Sequence, residues 1–108
     1  MSKSQTASVD ITEMTEVYHS LIETVENADE DDLAGRLIWR DAIAEALEAG
    51  TRLSAKDRAC LEAADRILRE KAATVYANNP EVFDDNRDRV PEGYWWWKLG
   101  PEGAPAAD

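Results

Sequence analysis

Cysteine is almost missing from this chain. Cys60 stands alone, so no internal disulfide can staple the fold, and stability has to come from a packed core. Glycine is scarce, with five residues, which leaves little material for a glycine-rich phosphate cradle. Histidine occurs once, at His19. There is no CxxC pair, no paired metal-ligand motif and no G-x-S-x-G nucleophile turn. No apolar run approaches the roughly 18 residues of a membrane span. Basic residues are outnumbered, 12 Lys and Arg against 23 Asp and Glu, for a net charge of -11. That balance opposes direct binding to nucleic acid, where phosphates must be neutralised by a basic patch, and it opposes adsorption to anionic membranes.

What is present points to a globular protein. Apolar residues make up 44% and charged residues 32%, outside the range of disordered chains. A length of 108 residues allows one domain with a thin core, which a dimer or a partner would extend. Met1 to Val9 is polar and lacks the apolar stretch of a secretion signal. Together with the lone cysteine, this gives the cytoplasm as the expected compartment.

Charge is unevenly placed. Asp10 to Asp32 holds nine acids and no Lys or Arg, whereas Thr51 to Asn79 holds six bases against four acids. Asp10 reads as a helix cap, with Glu13 three residues on in capping-box spacing. Ile11, Met14, Val17, Tyr18, Leu21, Ile22 and Val25 then recur at three- and four-residue steps, which predicts a helix over 11–27. The acidic stretch 28–32 reads as a turn whose charges suit the start of the next helix. That second helix is predicted over 32–49, closed by Gly50 in the left-handed conformation. Its apolar surface is broad. Leu33, Leu37, Ile43, Ala44 and Leu47 form one face, Ile38, Trp39, Ala42, Ala46 and Ala49 extend it, and only Asp41, Glu45 and Glu48 make a clean polar strip. Arg36 and Arg40 lie beside the first face and call for carboxylates, with the first helix as the expected supplier.

Ser54 is a strong cap for a third helix over 55–77, with Asp57 three residues later. Cys60, Leu61, Ala64, Ile67, Leu68, Ala72 and Val75 form its inner side. Glu62 with Arg66 and Asp65 with Arg69 make acid-before-base pairs on the outside. Asn79 and Pro80 end this helix and open one short further turn. The fold class that follows is all-α: a small antiparallel three-helix bundle, a hairpin of helices two and three plus an N-terminal helix, with an irregular aromatic C-terminal extension. The domain plan is a disordered lead over 1–9, a helical domain over 10–79, a Trp-rich extension over 80–100 packed on or beside the bundle, and a flexible tail over 101–108.

Four constellations are candidates for function. The first is Tyr94-Trp95-Trp96-Trp97. Adjacent residues cannot all face one way, so at least one ring must point away from the rest. Large indoles suit either a cap over a thin bundle or a contact with a partner, together with Trp39 and Ile38. The second is the acidic surface of Glu13, Glu16, Glu23, Asp29, Glu30, Asp31 and Asp32, which is able to imitate a phosphate backbone or to steer a basic partner. The third, Glu16-x-x-His19, matches half of a carboxylate-bridged two-metal site, but a single histidine means that only a dimer completes it, and the wheel turns both residues toward solvent. The fourth is Cys60, which falls on an inner helical face without a catalytic histidine near it in sequence. The expectation is therefore a non-catalytic acidic helical protein, not an enzyme, with no cofactor and no metal. It binds another protein or itself. An acidic nucleic-acid mimic is the first alternative and a dimer-assembled metal site the second.

Overall fold

The computed structural model describes residues 10–105. The expected lead over 1–9 and the last three residues of the expected tail lie outside the described residues. Among those described, the chain is all helix and turn, with no strand, and no helix is long and apolar enough to cross a membrane.

Helix α1 spans Ile11–Glu23. Asp10 caps it by accepting from Thr12 N at 3.3 Å. It ends four residues short of the expected boundary, and Val25–Asn27 continues as a 3-10 turn that keeps Val25 buried. Side chains from the other helices take up its last carbonyls. Arg36 donates to Leu21 O at 2.6 Å and Lys71 to Glu23 O at 2.8 Å, both cations at the negative end of the helix dipole.

Helix α2 spans Glu30–Glu48 and starts two residues early, because Asp29 supplies the cap by accepting from Asp32 N at 2.9 Å. Three acids then occupy its first turn, where the dipole favours them. At the far end, Gly50 adopts φ 105°, Gly50 N bonds Leu47 O and Thr51 N bonds Ala46 O. This is the expected left-handed glycine closing a Schellman motif. Helix α3 spans Ala55–Asn78, with Asp57 N donating to the Ser54 hydroxyl at 3.0 Å.

Partner numbers give the direction of the helices. Between α1 and α3, Thr12 meets Asp57, Tyr18 meets Asp65 and Glu26 meets Lys71, so the two run parallel. Between α1 and α2, Arg36 reaches Leu21 while Arg40 shares Asp65 with Tyr18, so these two run antiparallel. The bundle is up-down-up. Helix α1 approaches both α2 and α3 more closely than they approach each other. The expected hairpin of helices two and three therefore has α1 as its packing hub. Small residues explain the close α1–α3 contact: the Cys60 thiol donates to Thr15 O at 3.5 Å, and the buried Ala64 and Ala72 follow along the same side of α3. Tyr18, Ile22, Leu33, Leu37, Ile43, Leu68 and Val75 are sealed between the helices, each contributing about 1.5–3 kcal/mol by leaving water.

After α3 comes a strap. Helix α4 spans Pro80–Asn86, longer than the single turn expected, with Pro80 at its first position. Asn79 is not its side-chain cap. The Asn79 amide instead donates to Ala28 O at 3.0 Å and ties the end of α3 to the α1–α2 loop. Val82 and Phe83 bury against the bundle. Arg87 then clamps the returning chain, donating to Lys98 O at 3.2 Å and Leu99 O at 2.9 Å. Gly100 and Gly103 exchange two backbone bonds in a tight turn, with Gly103 at φ 107°. Ala104 packs on the core, so residues 101–105 of the expected flexible tail form a closed turn.

Candidate functional site

Within the irregular extension, the aromatic run is a 3-10 turn, Trp95–Trp97. With three residues per turn, consecutive side chains leave the backbone in three directions. Trp96 and Trp97 go inward, with 2% and 5% of their surface exposed, and both indole N–H groups donate to the same oxygen, Asp41 Oδ1, at 2.7 Å each. Tyr94 stacks on Trp96 with ring centroids 4.6 Å apart, and Trp95 meets Trp96 edge-on at 5.9 Å. Trp95 is the ring that points away, and the Arg69 guanidinium lies over it at 3.9 Å.

Arg40 joins this cluster to the bundle. Its guanidinium lies 4.3 Å from the Trp96 ring and donates twice to Asp65, at 3.1 Å to each oxygen. The Tyr18 hydroxyl donates to the same carboxylate at 3.0 Å. Burial, then the Asp65 charge, pushes the Tyr18 hydroxyl well above its ordinary pKa. One guanidinium and one carboxylate thus connect α1, α2, α3 and the strap. Two expectations are corrected here. Asp65 does not sit on an outer face beside Arg69; it is half-buried and pairs with Arg40. Nor do the acids of the first helix serve Arg36 and Arg40. Arg36 pairs with Asp32 of its own helix at 2.8 Å, which holds that carboxyl below its usual range.

Of the residues expected to meet a partner, Tyr94, Trp96 and Trp97 are buried against the chain's own bundle. Trp95 and Trp39 are half-buried. Ile38 is 55% exposed, the one large hydrophobic side chain among the described residues that stands in water. It lies on the outer face of α2 with exposed Gly35, Glu45 and Ala49 and half-buried Ala42 and Ala46. The opposite face, Leu33, Leu37, Arg40 and Ile43, is buried.

Glu13, Glu16, Glu23, Asp29, Glu30, Asp31 and Asp32 are all exposed, as expected of an acidic surface. Two of them have internal partners: Asp32 has Arg36, and Glu23 lies 3.5 Å from His19. Glu26, a neighbour not singled out in the sequence, ion-pairs with Lys71 at 2.7 Å and is held below its usual range by that contact. His19 therefore faces Glu23 one turn on, not Glu16. No group of three or more His, Cys, Asp or Glu side chains is gathered for a metal among the described residues. Cys60 is half-buried behind Thr15.

The residues that organise the site, Asp41 and Asp65, sit on polar strips that the periodicity assigned to solvent. A polar strip on a helix looks the same in sequence whether water or an indole covers it. The available signal for Asp41 was stoichiometric: buried indoles require acceptors, and three consecutive tryptophans require them close together. No known family matches the chain, and neither a curated protein nor a solved structure does.

Proposed function

We propose that this is a non-catalytic binding protein of the adaptor, accessory-subunit or inhibitor type, acting in the cytoplasm, whose contact surface is the outer face of α2. Exposed Ile38, on a helix face that no described element covers, is the observation that carries the reading. Half-buried Trp39 beside it adds the residue type most enriched at contact hot spots. The tryptophan strap serves this surface indirectly: by covering the other side of α2 it fixes the helix as a rigid platform. Buried Arg40 and Tyr18 and half-buried Asp65 and Asp41 are engaged with one another and with the indoles, an arrangement suited to stability and not to turnover.

The test is Ile38→Glu, compared with the unaltered chain in affinity capture from cell extract followed by quantitative mass spectrometry. The expected result is loss of specifically retained proteins, self-association included, with stability changed by less than about 0.5 kcal/mol because the site is exposed. Unchanged capture would move the surface elsewhere. A second reading, the acidic mimic, draws support from Glu13, Glu16, Asp29, Glu30 and Asp31, which are exposed and make no ion pair among the described residues. It predicts binding to a basic partner that weakens steeply with salt and on charge reversal at those positions.

A further inference from the structure

We infer that the cleft between α2 and the strap seats an extended peptide of a partner protein, with a proline on the Tyr94 and Trp96 rings and an adjacent lysine or arginine at Glu48. This site is separate from the Ile38 face and does not depend on it.

The cleft has a volume of about 300 Å³. That is the lower end of what a ligand site needs, with room for one or two residues of a chain and not for a large cofactor. Helix α2 supplies Arg40, Leu47 and Glu48, and the strap supplies Pro91, Tyr94 and Trp96. Two of these polar side chains are nine-tenths buried, Tyr94 with 7% and Arg40 with 9% of its surface exposed. Each has a donor left over. Arg40 gives Nε and Nη2 to Asp65, which leaves Nη1 on the far side of the fork without an acceptor among the described residues. The Tyr94 hydroxyl stacks out beside Trp96 and has no hydrogen-bond partner among the described residues either. Neither atom is sealed, because the one sealed side-chain nitrogen or oxygen without a partner among those residues is Arg36 Nε. A group entering the cleft that these side chains line can therefore reach both.

Charge selects what that group is. Asp65 already neutralises Arg40. Burial first, then the Glu48, Glu45 and Asp41 carboxylates, raise the Tyr94 hydroxyl against the opposing pull of Arg40, so the field in the cleft is negative. An anion is repelled there, and an uncharged oxygen is the acceptor that suits the two donors. A peptide carbonyl is such an oxygen, and proline presents it best. A polyproline II chain has no internal hydrogen bonds, so its carbonyls call for outside donors. Its rings lie flat on aromatic faces, and its backbone loses little freedom on binding. Glu48 is exposed and makes no ion pair among the described residues, which fits a cation beside the proline. The net charge of -11 draws a basic segment toward it.

The experiment follows the four tryptophan indole N–H signals of the full chain by NMR. The probe is a short polyproline peptide with one arginine and both termini blocked. The Trp96 signal is expected to move on titration while that of Trp39 stays. Tyr94→Phe, which removes the hydroxyl alone, is expected to weaken binding roughly five- to tenfold. Glu48→Lys, at an exposed position that the fold tolerates, is expected to weaken it roughly tenfold or more, and Ile38→Glu to leave it unchanged. Alanine in place of the prolines, or glutamate in place of the arginine, is expected to abolish the response. No movement of Trp96 at about 1 mM peptide overturns the inference. So does an equal response to the alanine peptide, or indifference to both Tyr94→Phe and Glu48→Lys. Tighter binding of the glutamate peptide would make the cleft an anion site of Arg40 and overturn it too. Binding lost in Ile38→Glu but kept in Glu48→Lys would move the peptide to the outer face of α2. A silent cleft in a chain whose capture of partners still depends on Ile38 removes this inference alone. A responsive cleft in a chain whose capture ignores Ile38→Glu supports it and removes the outer face.

Discussion

Asp41 spends one carboxylate oxygen on two indoles. Replacing it with Ala strands two buried N–H donors, each of which costs about 1–3 kcal/mol when left without a partner. Because Asp41 is itself only half-buried, Asp41→Ala is expected to destabilise by about 2–3 kcal/mol, read as a lower urea midpoint with an unchanged slope. Asp41→Asn keeps one acceptor oxygen and is expected to lose about half as much. At Tyr18 the consequence is a pH dependence. In the unfolded chain the hydroxyl titrates near its ordinary value of about 10, while in the folded chain burial and Asp65 hold it higher. The folded state then keeps a proton that the unfolded state gives up. The stability linked to this proton is full below pH 10 and drains as pH rises from there toward the folded value. Tyr94 and Tyr76 are raised too, each first by burial and then by nearby carboxylates, and they add to the same alkaline loss. Tyr18→Phe is expected to flatten the decline above pH 10 in urea titrations at stepped pH, and to cost about 1 kcal/mol at neutral pH for the lost bond to Asp65.

At the scale of elements, the strap is part of the core. Val82, Phe83, Tyr94, Trp96, Trp97 and Leu99 are buried with the residues of α1, α2 and α3. A chain ending at Asn79 is therefore expected to lose cooperative thermal unfolding, followed by circular dichroism, and to expose the side of α2 that Asp41 occupies. A sharp melt near that of the full chain would make the strap an accessory. The three long helices were legible because periodicity and caps agreed: Ser54 and Gly50 do what their positions suggest. The boundary errors follow from contacts distant in sequence. Helix α1 stops at Glu23, where Arg36 and Lys71 take its carbonyls, and Asn79 is drawn off to Ala28. The strap was illegible because no period governs it. Its path is set by Arg87 finding two carbonyls and by two indoles finding Asp41. The same long-range pairing hid Asp65, which local spacing offered to Arg69 and tertiary packing gives to Arg40. Ile38 was legible as apolar, but its exposure depends on where the strap runs.

Across the whole molecule, charge and apolar surface are segregated. The acids of α1 and of the start of α2 face outward, while the six bases between Thr51 and Asn79 divide between internal tasks at Arg69 and Lys71, the exposed end at Arg52, Lys56 and Arg58, and the exposed side of α3 at Arg66. Lys71 serves α1, and Arg69 lies over Trp95. The placement of the four tryptophans has an optical consequence. Trp96 and Trp97 are sealed against a carboxylate, whereas Trp39 and Trp95 are partly open to solvent. The protein thus carries its own pair of fluorescent reporters. A dissolved quencher such as iodide should darken the red-edge emission of Trp39 and Trp95 first and leave a blue-shifted remainder from Trp96 and Trp97. That remainder gives way only when the strap lifts, so one spectrum separates events at the two half-open rings from the opening of the core.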